Sequence, residues 1–420
     1  MKSISIKSLF FILIFTSLVS RVLVFYFFAD TELVNEWRIL VHNLSVKGVL
    51  GFNIVIENYL AVPKLAEKSD IILPSVFMPP LYAYYIFFIK LISFNIVNYI
   101  NVLIFSQILI SILTIYIFFK TIKLTETDQK SILFALIFAL VPINIYSSVQ
   151  ISSVCIQVFF LVCFFYILKL YWIKNYLKFK YIFFLSVVSG VLILLRGEFI
   201  IFYFFTIIYF FLYNSRKYKL LIISIIITSL IISPYIIRNY LNFDSFIITK
   251  SLGYNLLKGN NPKFKVEGNP NFIELNYDRK KLNIKADNLY EVKLDNFYKS
   301  RALEFIKNDY FYHLKNYLIK VMSFVFFDIN SSYENYYNFF HLVPKILLAI
   351  ISLFGGLLVF KKKGFLQYLS IYYFMSIFFF SIFFILPRYS LILLPIQILL
   401  GIEFIKFWLR KFSNKFFNNF

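Results

Sequence analysis

Long apolar runs follow one another along most of the chain and are joined by short polar links. A helix of about 20 mostly apolar residues can cross a bilayer, and ten runs approach or reach that length. They lie at 7–28, 96–119, 131–148, 152–170, 181–195, 197–213, 219–237, 342–360, 365–386 and 389–408. The pattern predicts an all-α, polytopic membrane protein with about ten transmembrane helices, folded as a single domain over residues 1–420.

Two long polar stretches interrupt the apolar runs and are predicted to be loops on one side of the membrane. The first covers 29–80 and the second 239–341, and the C-terminal helices 342–420 follow. In the second stretch apolar residues recur at helical spacing. They are Leu303, Phe305, Ile306, Tyr310, Leu314 and Leu318. We expect an amphipathic juxtamembrane helix there, lying on the membrane surface.

The stretch 81–94 is apolar but shorter than the other runs, and it follows Pro79 and Pro80 directly. It either lies in the membrane interface or crosses the bilayer, and crossing would change both the span count and the side assignments. The two prolines fix φ and need no backbone donor, so they suit a turn from the first loop onto the membrane surface. Together with Tyr82 they are candidate pocket residues.

The positive charges set the orientation. Lysines and arginines cluster in the short links, at 120–123, 169–180, 216–219, 361–363 and 406–415, and at the N-terminus. All of these fall on one face of the ten-span threading, which the positive-inside rule makes cytoplasmic. We therefore expect an integral protein of the cell (inner) membrane, with both termini cytoplasmic and both long loops outside. The first run lacks a small-residue cleavage site before Asp30, so it is predicted to be a retained helix.

Composition agrees with this class and excludes others. Apolar residues make up 60% of the chain and the formal net charge is +22. Because that charge sits mostly at segment ends, we expect membrane lipids as partners and no nucleic acid. Cys155 and Cys163 would lie about 12 Å apart on a helix, too far for a disulfide. The three histidines have no metal-ligand spacing, so no metal site is predicted, and a divalent cation is unsupported.

The first loop carries carboxylates close to the end of the first span. If the chain is helical there, Glu32, Glu36, Asn43 and Lys47 lie near one face. Carboxylates just outside a bilayer are candidate general bases, and Asp30 is a further one. The alternative is an ordinary solvated face of a surface helix.

Three arginines map to the same outer side as these carboxylates. Arg196, Arg238 and Arg388 each lie at the end of an apolar run. Interfacial arginines often reach lipid phosphates, but three on the side opposite the basic links favour a shared anionic ligand. Arg21 lies well inside the first run, where an ionisable group usually faces the protein interior.

The order of these pieces resembles the GT-C superfamily of polytopic glycosyltransferases. The likeness is greatest to the branch of protein O-mannosyltransferases and aminoarabinose transferases, which use lipid-phosphate sugars. The matching segments are "DTELVNEWRILVHNLSVKG", "MPPLYAYYIFFIKL", "LLRGE", "SPYIIRNYLNF", "GNNP", the helix leading into Lys320, and "PRYSLILLPIQILL". Each is short, but they cover nearly the whole chain in the expected order.

The resemblance implies an inverting transferase on the extracytoplasmic face. A polyprenyl-phosphate sugar would be the donor, and a lipid, glycan or protein hydroxyl the acceptor. It implies Glu36, Asp30 or Glu32 as the catalytic base. The donor phosphate would be bound by Arg238, Arg388 and Arg196. Asn260 and Asn261 would form an outer turn over the pocket.

The chain departs from the family pattern at two places. Leu33 stands where the family has an aspartate, and Ser152, Ser153 and Val154 stand where many relatives have an acid. A metal-binding or two-acid site is therefore not expected. Three other functions stay open: a transporter or flippase of lipid-linked sugars, a non-catalytic scaffold, and a polymerase or ligase with a diphosphate-linked donor.

Overall fold

A computed structural model gives the fold of most of the chain. It describes residues 5–55, 60–61, 72–94, 97–174, 179–213, 218–277, 282, 284, 287–333 and 338–417. The helices of this part are α1 (Ile6–Phe28), α2 (Asn35–Lys47), α3 (Pro80–Ile92), α4 (Tyr99–Lys123), α5 (Asp128–Leu140), α6 (Pro142–Ser147), α7 (Val154–Lys174), α8 (Phe179–Leu195), α9 (Phe199–Tyr213), α10 (Tyr218–Phe243), α11 (Leu252–Gly259), α12 (Pro270–Asn276), α13 (Tyr290–Asn308), α14 (Tyr310–Val325), α15 (Phe339–Val359), α16 (Phe365–Phe380) and α17 (Leu394–Phe417), with a 3-10 segment, Pro387–Leu393, before α17.

Six segments of the described chain are long and apolar enough to cross a membrane. They are α1, α4, residues 154–173 of α7, α10, α15 and residues 387–411. Helices α3, α8, α9 and α16 are apolar but shorter. The chain is thus a mostly helical, polytopic membrane protein, as predicted, and six of the ten expected spans meet the length of a bilayer.

The run 131–148 is not one helix. It divides into α5 and α6 at Pro142, which is the first residue of α6. Proline has no backbone N–H to donate to the preceding turn, so α5 ends at Leu140. The prediction of a single span at 131–148 is therefore wrong.

Helix α3 begins at Pro80 and has 13 residues. A helix of that length rises about 20 Å, which is less than the roughly 30 Å hydrocarbon core of a bilayer. One of its faces is buried, through Pro80, Tyr82, Ala83, Ile86 and Ile89. Its length favours an interfacial or partly inserted helix over a full span.

The first loop contains a small sheet that the sequence did not predict. Strands β1 (Gly51–Val55), β2 (Leu60–Ala61) and β3 (Ile72–Pro74) pair antiparallel in the order β2-β1-β3. Gly51 faces Pro74 in this register, and a Cβ added to Gly51 would lie 2.0 Å from the Leu73 carbonyl oxygen. The close approach of β1 and β3 therefore requires glycine at that position.

The second loop folds into four helices, α11 to α14, in its described part. The predicted amphipathic run divides at Asp309, whose side chain accepts a hydrogen bond from the Tyr312 N–H and caps α14. Helix α14 buries polar His313, Asn316 and Lys320, while Phe311 is 82% exposed. A helix that turns its apolar side outward is typical of a lipid-facing surface.

Cysteine accessibility is the test of the predicted threading. Single cysteines replacing Lys123 and Lys362 should be protected from a membrane-impermeant maleimide in intact cells, and a cysteine at Asn271 should react. The native Cys155 is buried, and a variant lacking both native cysteines provides the background. Reaction at Asn271 and Lys123 from the same side would contradict the threading.

Candidate functional site

The candidate site lies where α11 meets the segment before the last span. Lys258, in the last turn of α11, places its ammonium nitrogen 4.2 Å from the centre of the Phe384 ring. Its stem passes Gly268, whose φ is +78°, and a Cβ there would lie 2.6 Å from Lys258 Cγ. Lys258 is thus held in position by an aromatic face and a glycine turn.

Charged groups of both signs act on Lys258. Burial lowers its pKa, and the positive charge of Arg388 lowers that pKa further. The carboxylates of Glu36 and Glu267 act in the opposite direction and favour the charged form. Glu36 and Arg388, two of the residues selected from the sequence, therefore both influence the charge of Lys258.

A second cation lies beside the same segment. Arg196 follows the end of α8, and its Nη1 is 3.6 Å from Glu198 Oε1. Its guanidinium carbon lies 5.6 Å from the centre of the ring of Tyr389, the residue that follows Arg388 in the chain. The buried Arg196 Nε has no hydrogen-bond partner in the described part of the chain. Arg196 is thus held between Glu198 and the Tyr389 ring.

Arg238 has a different environment. Its Nη1 donates to the Ser75 carbonyl (2.9 Å), and its Nη2 to the Leu50 carbonyl (2.9 Å). These two carbonyls flank strands β1 and β3, and the Ser75 N–H also donates to the Leu50 carbonyl. Arg238 therefore anchors the first loop to the end of α10, and its role in binding a phosphate stays a prediction.

Glu291 completes this anchor from the second loop. Its Oε2 accepts from the Val76 N–H at 2.8 Å and from the Ser75 hydroxyl at 3.1 Å. Burial raises the pKa of Glu291, whereas these hydrogen bonds and the charge of Arg238 lower it. The two long loops are thus joined by buried polar contacts.

The first-loop acids do not share one helix face. Helix α2 begins at Asn35, so Glu32 precedes it and is exposed, while Glu36 is half-buried in its first turn. Asn43 is buried and donates to the Gly51 carbonyl at 2.9 Å. Of the four residues expected on a common face, Glu32 is wrong, because the helix starts after it, whereas Glu36, Asn43 and Lys47 all lie within α2.

Asp30 connects the end of α1 to the link before α7. Its Oδ2 accepts from the Ile151 N–H at 2.6 Å. Burial raises the pKa of Asp30, and that hydrogen bond opposes the shift. Leu33, at the position where the resemblance implies an acid, is only 4% exposed and packs in the core with Tyr82 and Ile86.

Tyr82 lies beneath the first loop. It is fully buried, donates to Gln107 Oε1 at 3.0 Å, and packs edge-on against Trp37 at 4.9 Å. Through Trp37, Tyr82 therefore packs against α2, the helix that carries Glu36. Pro79 and Pro80 start the helix that brings Tyr82 to that position.

Asn260 and Asn261 use their amides within the turn after α11. Asn260 Nδ2 donates to the Leu256 and Ile382 carbonyls, each at 2.9 Å, and Asn261 Nδ2 donates to the Leu257 and Lys258 carbonyls. These contacts fix the end of α11 against residue 382. The two asparagines thus position Lys258.

Lys320 secures the same junction from α14. It is fully buried, and its ammonium group donates to the Gly259, Ile382 and Phe383 carbonyls and to Asn260 Oδ1, at 2.7 to 3.2 Å. Burial lowers the pKa of Lys320 to about 7. The four oxygen acceptors favour the charged ammonium.

Replacing Lys320 by Met should destabilise the protein without touching the candidate site directly. Four buried oxygen atoms lose a donor, and a loss of about 3 kcal/mol in the free energy of unfolding is expected. Denaturation in detergent measures it. Lys315→Met, on the exposed face of α14, is the matched control, and equal effects of the two variants would contradict the junction role.

The structure adds residues that the sequence did not single out. Lys258, Glu198, Glu267 and Tyr389 join the site. Glu198 and Tyr389 lie within the segments "LLRGE" and "PRYSLILLPIQILL", but none of the four residues was assigned a role from the sequence. Two signals were available: Lys258 directly precedes the "GNN" turn, and Tyr389 directly follows Arg388. Within the described residues, no three His, Cys, Asp or Glu side chains gather as metal ligands.

Solved structures share this fold. No protein-family model matches the chain, and no curated protein matches it. The archaeal oligosaccharyltransferase AglB from Archaeoglobus fulgidus, in complex with an inhibitory peptide and a dolichol-phosphate, superposes with a TM-score of 0.55 at 13% identity, covering 99% of this chain and 52% of that one. The Archaeoglobus fulgidus oligosaccharyltransferase tethered to an acceptor peptide with the NVT sequon gives 0.57 at 14% identity, covering 97% and 50%.

The likeness concerns the fold. The chain spans about half the length of these oligosaccharyltransferases. The comparison supports the polytopic, mostly helical membrane fold expected from the sequence. The narrower likeness to protein O-mannosyltransferases and aminoarabinose transferases gains no support from these neighbours.

Proposed function

We propose that the chain is a membrane glycosyltransferase that moves a sugar from a polyprenyl-phosphate donor to an acceptor hydroxyl on the extracytoplasmic face. The fold it shares with an oligosaccharyltransferase supports the reaction class. A dolichol-phosphate is bound to that enzyme in one of its structures. An isoprenoid phosphate of this kind is the lipid carrier of the sugar in the donor proposed here. The acceptor is a lipid, a glycan or a protein.

The observation that carries the proposal is the group of cations around residues 384–389. Lys258 lies 4.2 Å from the centre of the Phe384 ring, and Arg196 lies 5.6 Å from the centre of the Tyr389 ring, next to Arg388. The charges of Arg388 and Glu36 both act on Lys258. The leaving group of the reaction is a phosphate whose negative charge grows in the transition state. Cations held in place for that charge accelerate its departure.

The chemistry divides between these groups. Glu36 takes the proton from the acceptor hydroxyl while the oxygen of that hydroxyl forms a bond to the anomeric carbon of the sugar. The bond from that carbon to the phosphate oxygen breaks on the opposite side, and its electron pair goes to the phosphate held by Arg388 and Lys258. A single displacement of this geometry inverts the anomeric centre. Asp30 is the second candidate base, because a raised pKa suits proton acceptance near neutral pH.

Three measurements test the function. Mass spectrometry of lipid and glycan extracts, from cells with and without the gene, identifies the glycan or glycolipid that disappears. The purified protein in nanodiscs is then given that sugar on polyprenyl phosphate or on polyprenyl diphosphate. Transfer from the monophosphate supports the proposal; transfer from the diphosphate alone favours a polymerase or ligase. Movement of the donor across proteoliposomes without transfer favours a flippase.

A further inference from the structure

A second charged site lies at the C-terminal ends of α4 and α7. A cavity of about 310 Å³ opens where the ends of α4 and α7, the link between α15 and α16, and the middle of α17 converge. Lys169 lies fifteen positions after the start of α7, about 22 Å along that helix, whereas Asp30 contacts the segment just before α7. The cavity is therefore separate from the candidate active site.

Lysines outnumber carboxylates in its lining. The charged residues are Lys169, Lys362, Lys363, Lys406, Glu126 and Glu403. Lys406 pairs with Glu126 and with Glu403 (3.0 Å), and Lys362 lies 3.6 Å from Glu403. These pairs use both carboxylates, so the charges of Lys169 and Lys363 are not matched by an ion pair among the described residues.

Lys169 is the inner cation. It is 6% exposed, and its ammonium group donates to the Thr121 carbonyl (2.8 Å) and the Thr125 hydroxyl (2.9 Å). Its hydrogen bonds are to neutral oxygens, and the two carboxylates of the same cavity, Glu126 and Glu403, are already paired with Lys406 and Lys362. A buried ammonium whose direct partners are neutral favours a further anion beside it. Lys363 is exposed at the rim, so the two cations stand at the depth and at the mouth of one cavity.

Apart from Thr125, the rest of the lining is apolar and includes Ile122, Ile173, Phe365 and Leu399. The volume equals that of about ten water molecules, which is enough for a phosphate ester with part of its alcohol. Basic pockets between transmembrane helices are a recurring way to hold lipid headgroups. An apolar wall next to two lysines suits a phosphate that carries a hydrocarbon portion.

We propose that this cavity binds a phosphate ester through Lys169 and Lys363, supplied by an anionic phospholipid or by a soluble phosphate compound. The bound phosphate would join four segments of the bundle. The proposal does not depend on the transferase function.

Delipidated protein in neutral detergent provides the test, with binding followed by native mass spectrometry and thermal unfolding. Phosphatidylglycerol should bind and raise the unfolding temperature, and phosphatidylcholine should not. Lys363→Gln should weaken phosphatidylglycerol binding about fivefold, the effect of one surface lysine on an anionic lipid. Lys361→Gln, in the same link but outside the cavity, should leave it unchanged. Binding must also persist in Lys258→Met, which removes a cation of the candidate active site.

The remaining arms assign the source or reject the site. Stabilisation by glycerol 3-phosphate at similar concentrations would assign the phosphate to a soluble compound, and stabilisation by the lipid alone to the membrane. Lys169→Met should weaken phosphatidylglycerol binding at least as much as Lys363→Gln does, and Lys363→Gln carries the test if Lys169→Met does not fold. Equal binding of both lipids, or equal effects of Lys361→Gln and Lys363→Gln, would overturn the proposal.

Discussion

Glu36→Gln should abolish sugar transfer while donor binding persists. The amide keeps the shape and hydrogen-bonding capacity of the side chain but cannot accept the acceptor's proton. General-base catalysis is typically worth about two to four orders of magnitude in rate. Glu36 is half-buried in the first turn of α2, and its charge acts on Lys258, the group proposed to hold the donor. Transfer rate and donor affinity, measured on the same nanodisc preparation, separate the two effects.

Two companion variants decide which carboxylate is the base. Asp30→Asn should have a milder effect, through the contact of Asp30 with the Ile151 N–H. Glu32→Gln, exposed and before the helix, is the matched control and should stay near wild type. A greater loss in Asp30→Asn than in Glu36→Gln would assign the base to Asp30. Activity in a Glu36→Gln, Asp30→Asn double variant would exclude the carboxylate mechanism.

Arg388→Ala should lower the transfer rate by about two to three orders of magnitude, the usual cost of removing a donor that stabilises transition-state charge. Arg388 lies beside Tyr389 and influences Lys258, so its loss leaves the leaving phosphate with fewer cations. The rate constant should fall more than donor affinity, because the charge on the phosphate grows only as the sugar departs. Single-turnover kinetics in nanodiscs give both quantities.

Arg301→Ala is the matched control for Arg388→Ala. The Arg301 side chain is 44% exposed, belongs to the second loop and pairs with Glu304 at 2.7 Å. Replacing it by Ala therefore removes the same charge as Arg388→Ala does. Near-normal transfer in Arg388→Ala would show that Arg388 serves only to anchor the protein to lipid headgroups. Equal losses in the two variants would contradict a specific role of Arg388 at the leaving phosphate.

The sequence alone determined the membrane class and the approximate helices. A segment crosses a bilayer because of its own length and apolarity, and both can be read locally. The starts of α3 and α6 have an equally local cause, since Pro80 and Pro142 begin them. Glu36 and Arg388 were also selected as candidates without the fold, because charges at the ends of apolar runs are visible in the sequence.

Tertiary structure decided which of those charges meet. Arg238 and Arg388 look alike in sequence, yet Arg238 donates to carbonyls 163 and 188 positions away and anchors a loop. Lys258 carries no motif of its own and enters the site because Lys320, in α14, joins the turn after α11 to residues 382 and 383. These contacts depend on long-range packing of loops that the bilayer does not order. The apolar pattern therefore determines the spans, and the folding of the two long loops determines the site.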